Sequence, residues 1–241
     1  MDVINNEKEA LLFFADISGY TEFVKKHTST WAHGQFIISE LLKIILQEID
    51  DPLKIAKIEG DAIFFYLPIE LTFDQKLISN KLLKFFTEFD NKKLSLNSVR
   101  SCECQCCSNV EKLKLKIIVH FGKVLIYQIN QFQELSGLDV IILHRLSKNS
   151  VQKNEYLMLT ENAFNKIAYF KDISFTAKKE HYEDIGNVNT LVYFPSAEQS
   201  QGKEVISSNF EKFLFKYKLL FMTFYLIMRS VVQLKFLNVR N

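Results

Sequence analysis

Glycine and proline are scarce, at 7 and 3 of 241 residues, so collagen-like repeats and long low-complexity stretches are excluded and most of the chain is expected in helices and strands. Cysteine is limited to four residues, all between Cys102 and Cys107. They are too crowded for a disulfide framework, which agrees with a reducing compartment. Charge of one sign is also lacking: 30 Lys+Arg stand against 28 Asp+Glu. No global field then draws the chain to nucleic acid or to an acidic surface. Long apolar runs are missing too. The longest, Leu219 to Met228, is interrupted by Thr223 and bounded by Lys218 and Arg229, well short of the roughly 20 residues of a bilayer span. Met1 to Lys8 is polar and charged with no apolar h-region, so no secretory signal is expected and the cytoplasm is the default location. What is present is a 48% hydrophobic share with 22 Phe and one Trp, enough for a core rich in buried aromatic area. The length fits one α/β domain with an added segment as well as two small domains.

Leu11 to Ala15 is a continuous apolar run ended by Asp16, the pattern of a strand buried on both faces. From Thr21 to about Gln47, Phe23, Val24, Trp31, Ile37, Ile38, Leu41, Leu42, Ile45 and Leu46 recur at helical spacing. Leu53 to Glu59 and Ala62 to Leu67 are β-prone runs around Gly60-Asp61, a hairpin signal. A second helix fits Leu71 to Phe89, and a polar stretch carrying the cysteines follows through Asn109. Leu113 to His120 and Val124 to Ile129, around Phe121-Gly122-Lys123, predict a second hairpin. Val140 to Leu146 reads as a helix. Glu155 to Leu159 reads as a strand whose Thr160 caps a helix over Glu161 to Ala168. Strands near Ile173 to Thr176 and Thr190 to Phe194 close the domain. This order predicts an α+β sandwich, an antiparallel-rich sheet with helices on one face. The polar segment Ser196 to Gly202 marks the clearest boundary.

Asp16 ends the first strand and Asp61 sits in the next hairpin turn, so a β-α-β-β unit can bring the two carboxylates together. Hard divalent ions take oxygen ligands from one or two carboxylates plus substrate phosphates, which makes such a pair suited to phosphoryl transfer. Ile17-Ser18-Gly19-Tyr20-Thr21 adds backbone N–H groups at a helix N-terminus where a phosphate can rest. Taken singly, Asp16 reads equally as a helix cap and Asp61 as a turn residue.

FADISGYT (residues 14–21) and KIEGDAIFF (57–65) resemble the two metal-site motifs of class III nucleotidyl cyclases. VHFGKV (119–124) resembles that family's His-x-Gly-x-Val, and ELSGLDVIILHRL (134–146) is similar to its strand-to-helix segment ending in Ala-Ala-Arg-Leu. The likeness runs in order from about residue 9 to 195. It further resembles an uncharacterised bacterial cyclase-like branch with a Cys-rich insert. The resemblance implies a ferredoxin-like β-α-β-β-α-β core over 1–195, with the insert at about 93–110. It implies that Asp16, Asp61 and the backbone of Ile17 hold two Mg²⁺ or Mn²⁺ per site, with Ser18, Gly19, Tyr20 and Thr21 near the phosphates. Lys57 and Glu134 fall where adenylyl cyclases read the purine. A lysine donor to ring N1 and a carboxylate acceptor for the exocyclic amine suit adenine, so ATP is the favoured nucleotide. Arg145 matches the catalytic arginine, whose donor fork suits charge on reacting phosphates. Sites of this family are composite, which implies a head-to-tail homodimer.

Two departures stand out. The family's catalytic Asn is Ile141 here, and its phosphate-binding lysine has no counterpart near Ile185 to Asn187. Losing one electrostatic donor costs about 10²–10³ in rate. The first reading is therefore a low-activity adenylyl cyclase, converting ATP to cyclic AMP and pyrophosphate by two-metal catalysis. The rival is a catalytically degenerate nucleotide- or metal-sensing signalling dimer.

Cys102, Cys104, Cys106 and Cys107 form either a Zn²⁺ or Fe–S site, three of them with an outside ligand, or a loop of oxidation-prone thiols. After the linker 196–206, residues 207–241 read as a basic amphipathic helix. From Lys203 onward seven basic residues stand against Glu204 and Glu211, a local charge of +5 against −3 for the rest. This helix either packs on the domain or its dimer partner, makes peripheral membrane contact, or is the remnant of a second domain. His120 is expected to pack structurally, and no P-loop or zinc-protease motif occurs.

Overall fold

The computed structural model describes residues 7–25, 31–69, 73–99 and 109–195, together with positions 213, 217, 220, 221 and 224. In chain order the elements are β1 (Glu7–Ser18), α1 (Tyr20–Lys25), α2 (Trp31–Glu48), β2 (Lys54–Glu59), β3 (Ala62–Pro68), α3 (Gln75–Ser98), β4 (Lys114–Ile129), β5 (Phe132–Ser136), α4 (Leu138–Leu146), β6 (Tyr156–Thr160), α5 (Glu161–Ile167), β7 (Thr176–Tyr182) and β8 (Gly186–Tyr193). They build one eight-stranded sheet of order β2-β3-β1-β4-β6-β8-β7, with β5 paired to β4. Every described pairing is antiparallel except β4 with β6. The fold class is the expected α+β.

The apolar run of β1 explains the layering, because alternate side chains point to opposite faces. Leu11, Phe13, Ala15 and Ile17 pack into a core with α2, α3 and α5. Phe13 stacks on Phe65 there, ring centroids 4.8 Å apart. Ala10, Leu12 and Phe14 face a second core with Val140, Leu143 and Leu146 of α4. With Phe23 of α1, four helices share this face, whereas α4 lies on the other, so the helices are not all on one face as expected.

Other departures from the sequence reading have local causes. The helix expected to stop at Phe89 continues to Ser98, because Lys93 and Leu96 extend its buried stripe. Burial pushes the Lys93 ammonium down in pKa while Asp90, 2.6 Å away, retains it as a partner. Asp74 caps the start of α3, its Oδ1 accepting from Lys76 N and Leu77 N. The expected hairpin at Phe121-Gly122-Lys123 is instead continuous strand: β4 runs 16 residues and turns at Asn130-Gln131. Gly122 is required there for space, since a Cβ would lie 2.0 Å from Asp139 Cγ. The strand expected near Ile173 to Thr176 begins only at Thr176, a polar edge strand without apolar alternation. Thr160 caps α5 as anticipated, accepting from Ala163 N at 3.4 Å.

Phe213, Tyr217, Leu220, Phe221 and Phe224 are helical and exposed. Among the described residues no helix is long and apolar enough to cross a membrane. The cysteine cluster lies outside the described residues.

Candidate functional site

Strand register brings the two aspartates together. Asp16 lies opposite Ala62 of β3, and Ile17 N donates to the Asp61 carbonyl at 3.2 Å, which ties the β2–β3 turn to the end of β1. Burial and then the Asp16 charge push the Asp61 carboxyl up to about 6. On the other side of β1, register places Lys116 of β4 opposite Asp16, and its Nζ donates to Asp16 Oδ2 at 2.7 Å. Both side chains are largely buried. Two carboxylates thus share one lysine, and the shortfall of positive charge is carried by Asp61.

This donor set fits a hard divalent cation only in part. Among the described residues no group of three or more His, Cys, Asp or Glu could hold a metal ion. Asp16 and Asp61 would therefore need phosphate oxygens and water to complete a shell, the way Mg²⁺ is commonly bound. Next to them, Ser18 ends β1, Gly19 takes φ +90°, and Tyr20 and Thr21 open α1. Gly19 is needed at this positive φ, and its carbonyl accepts from Phe23 N at 2.9 Å. A cavity of about 570 Å³ adjoins this turn, lined among others by Gly19, Lys112, Lys114 and Lys153.

Lys57 and Glu134 are also brought together. They line a cavity of about 590 Å³ with Tyr66, Gln133 and Leu135, and the Tyr66 hydroxyl hydrogen-bonds Gln133. The Lys57 ammonium, however, is held by Glu59, 2.6 Å away on its own strand. This hydrogen bond raises the Lys57 pKa and lowers that of Glu59, while Glu134 contributes a smaller attraction to Lys57.

Arg145 is the site residue whose surroundings differ most from expectation. Its Nε and one terminal nitrogen both donate to Asp184 Oδ2, at 2.9 and 2.6 Å. Asp184 sits in the β7–β8 turn, where the sequence reading looked for a lysine. One turn earlier on α4, Ile141 is 50% exposed, an apolar side chain facing outward. His144 packs edge-on against Phe14 and Phe64.

The start of α4 is anchored by a buried polar line. His120 Nε2 lies 2.8 Å from Asp139 Oδ1, His120 Nδ1 lies 3.0 Å from Thr160 Oγ1, and Lys123 N donates to Asp139 Oδ2 at 2.7 Å. Burial alone would raise the Asp139 carboxyl, but the hydrogen bonds from His120 and Lys123 hold it below its usual value. A ring proton on Nε2, with the Thr160 hydroxyl donating to Nδ1, satisfies every partner. Asp139 also occupies a stretch of β4 edge that neither β5 nor β6 pairs with. The structural role expected of His120 is thereby explained.

Sequence reasoning missed Lys116, Glu59 and Asp184. Alternation along Lys112-Leu113-Lys114-Leu115-Lys116 was visible, but only register identifies the lysine that meets Asp16.

Residues 38–156 match the family described as "Protein of unknown function (DUF2652)". The uncharacterized protein Rv2561/Rv2562 of Mycobacterium tuberculosis (strain ATCC 25618 / H37Rv) is 33% identical over 109 residues, 45% of this chain. The chain spans about half the length of that curated relative, 50%. Among solved structures, the adenylyl cyclase CyaB from P. aeruginosa aligns with TM-score 0.54 and 14% identity, over 79% of this chain and 95% of that one. The guanylate cyclase domain of RhGC from Catenaria anguillulae, in complex with GTP, aligns with TM-score 0.52 and 15% identity over 78% and 97%. The catalytic core of a rhodopsin-guanylyl cyclase with converted specificity, in complex with ATPalphaS, gives 0.53 and 14% over 78% and 96%. At this identity the likeness establishes the fold: the chain has the architecture of class III cyclase domains.

Proposed function

We propose that this protein binds a purine nucleoside triphosphate with Mg²⁺ or Mn²⁺ and, as a head-to-tail homodimer, converts ATP to cyclic AMP and pyrophosphate at low rate. The observation that carries this reading is the convergence of Asp16 and Asp61 at one end of the sheet, with Asp61 pushed up to about 6. Such a pair is short of positive charge, and a divalent cation with a polyphosphate relieves it. The cation, when bound, supplies Lewis acidity at the ribose 3′ oxygen and the α-phosphate. The chain's own residues do the rest. Lys116, already at the carboxylates, neutralises phosphate charge, and the turn from Ser18 to Thr21 offers backbone N–H donors. Lys57 and Glu134 orient the base so that the 3′ oxygen lies in line with the α-phosphorus. Apolar side chains on β2 and α4 support a dimer: Ile58, Leu138 and Ile141 are about half exposed or more.

Ile141 and the Arg145–Asp184 pair favour a second reading, a nucleotide- or metal-sensing dimer without turnover. Turnover is expected to be low under the first reading and absent under the second, because donors that would meet the reacting phosphates are missing or engaged. The Cys cluster as a Zn²⁺ site and the C-terminal segment as a peripheral membrane contact are further proposals that await metal analysis and liposome sedimentation. Incubating the purified protein with each nucleoside triphosphate and Mn²⁺, with products identified by mass, separates the two functional readings. Cyclic AMP and pyrophosphate that disappear in Asp16→Ala support the enzyme. Saturable nucleotide binding without product supports the sensor.

A further inference from the structure

We propose that Glu59 is a second purine-reading carboxylate, and that it makes the corner around Lys57 accept guanine as well as adenine nucleotides. The inference rests on the reading that Lys57 and Glu134 meet the base. Lys57 and Glu59 are two apart on β2, opposite Phe64 and Ala62 of β3, so their side chains share one face of the sheet. The ammonium lies 2.6 Å from Glu59 Oε1, with the lysine and glutamate side chains 56% and 43% exposed, so an incoming base can reach both. Glu134 is the other carboxylate that Lys57 senses, and it borders the cavity that Lys57 lines; Glu59, next to the Gly60 turn, is not part of that lining. One donor therefore stands between two acceptors.

The hydrogen-bonding edges of the two purines make this arrangement consequential. Adenine offers an acceptor at N1 beside a donor, its 6-amino group, so it needs the ammonium and a carboxylate on one side of it. Guanine offers an acceptor at O6 beside two donors, N1–H and the 2-amino group, so it needs the ammonium and a carboxylate on the other side. Lysine donates only and a carboxylate accepts only, so neither residue can switch role. With Glu134 assigned to the 6-amino group of adenine, Glu59 is the acceptor for the N1–H and 2-amino edge of guanine. With adenine bound, Glu59 stays paired to Lys57, and with guanine bound, Glu134 remains the carboxylate whose charge Lys57 senses.

The test is equilibrium binding of 3′-deoxy-ATP and 3′-deoxy-GTP, which cannot cyclise, to the full chain with Mn²⁺. Wild type is expected to bind both within about fivefold. A hydrogen bond to a charged group is worth about tenfold or more in affinity, so Glu59→Gln should weaken the guanine analogue at least tenfold and leave the adenine analogue within about twofold. Glu134→Gln should do the reverse. Both variants are isosteric and at the surface, and thermal melts check that they fold. A parallel effect of Glu59→Gln on both analogues, or none on either, overturns the proposal while leaving nucleotide binding intact. So does a wild type that binds only the adenine analogue. A wild type that binds neither overturns this inference together with the function on which it rests.

Discussion

Asp61→Asn should make the protein more stable at neutral and alkaline pH. The Asp61 carboxyl is raised from 3.8 to about 6 by burial and by Asp16, so the folded state holds this proton more tightly than the unfolded chain does. The sign follows from linkage: no penalty exists below the unfolded value, a penalty develops as pH rises from about 4 to about 6, and it is complete above that. A rise of about 2 pKa units corresponds to about 3 kcal/mol as a ceiling, and partial exposure of the side chain reduces this to about 1–2 kcal/mol through solvent screening. Asparagine keeps the shape and removes the charge. Urea unfolding at pH 4, 6 and 8 should therefore give coincident curves for variant and wild type at pH 4 and a gain of about 1–2 kcal/mol for the variant at pH 8. Millimolar Mn²⁺ should raise wild-type stability at pH 8 and leave the variant nearly unchanged. A variant less stable than wild type at pH 8, or equally stabilised at pH 4 and pH 8, would refute the account of two carboxylates sharing one lysine.

Lys116→Met should destabilise by about 1–3 kcal/mol at pH 8 and by less at pH 4, where Asp61 is protonated, because it leaves Asp16 buried without its counter-ion; the same urea series reads this out. Asp184→Asn should cost under about 1 kcal/mol, since the Arg145–Asp184 pair is about half exposed. By freeing the guanidinium it should tighten triphosphate binding, and unchanged affinity would mean that Arg145 does not reach the phosphates. Gly122→Ala should cost about 2–4 kcal/mol, because a Cβ displaces the Asp139 carboxylate from His120 and Lys123. Denaturant midpoints test this, and a loss below about 1 kcal/mol would show that Asp139 relocates freely.

How much of this was legible varied with the range of the interaction. The buried strand through Leu11 to Ala15, the hairpin around Gly60-Asp61 and the Thr160 cap each depend on residues within a few positions of one another, and all three are as read. The aspartate pair was legible because Asp16 lies near the end of β1 and Asp61 in the turn before the neighbouring strand β3. Phe121-Gly122-Lys123 was misread as a turn. Glycine between β-prone runs signals a turn when no partner is known, yet here it makes room for a carboxylate 17 residues away. The end of α3 was misplaced because a buried lysine looks like a surface residue until Asp90 is set beside it.

Local patterns of apolar spacing, caps and turns were enough to establish the α+β class and the strand that carries Asp16, whereas the purine candidates Lys57 and Glu134 were implied by the resemblance to class III cyclases. The pairing of charges was settled by the fold. Lys116 meets Asp16 because β4 lies beside β1 in one register out of several that its alternating lysines allow. Arg145 meets Asp184 because the β7–β8 turn comes to rest beside α4. Such contacts join residues far apart in the chain, and an electrostatic interaction depends on distance through space, which a linear order of residues does not contain.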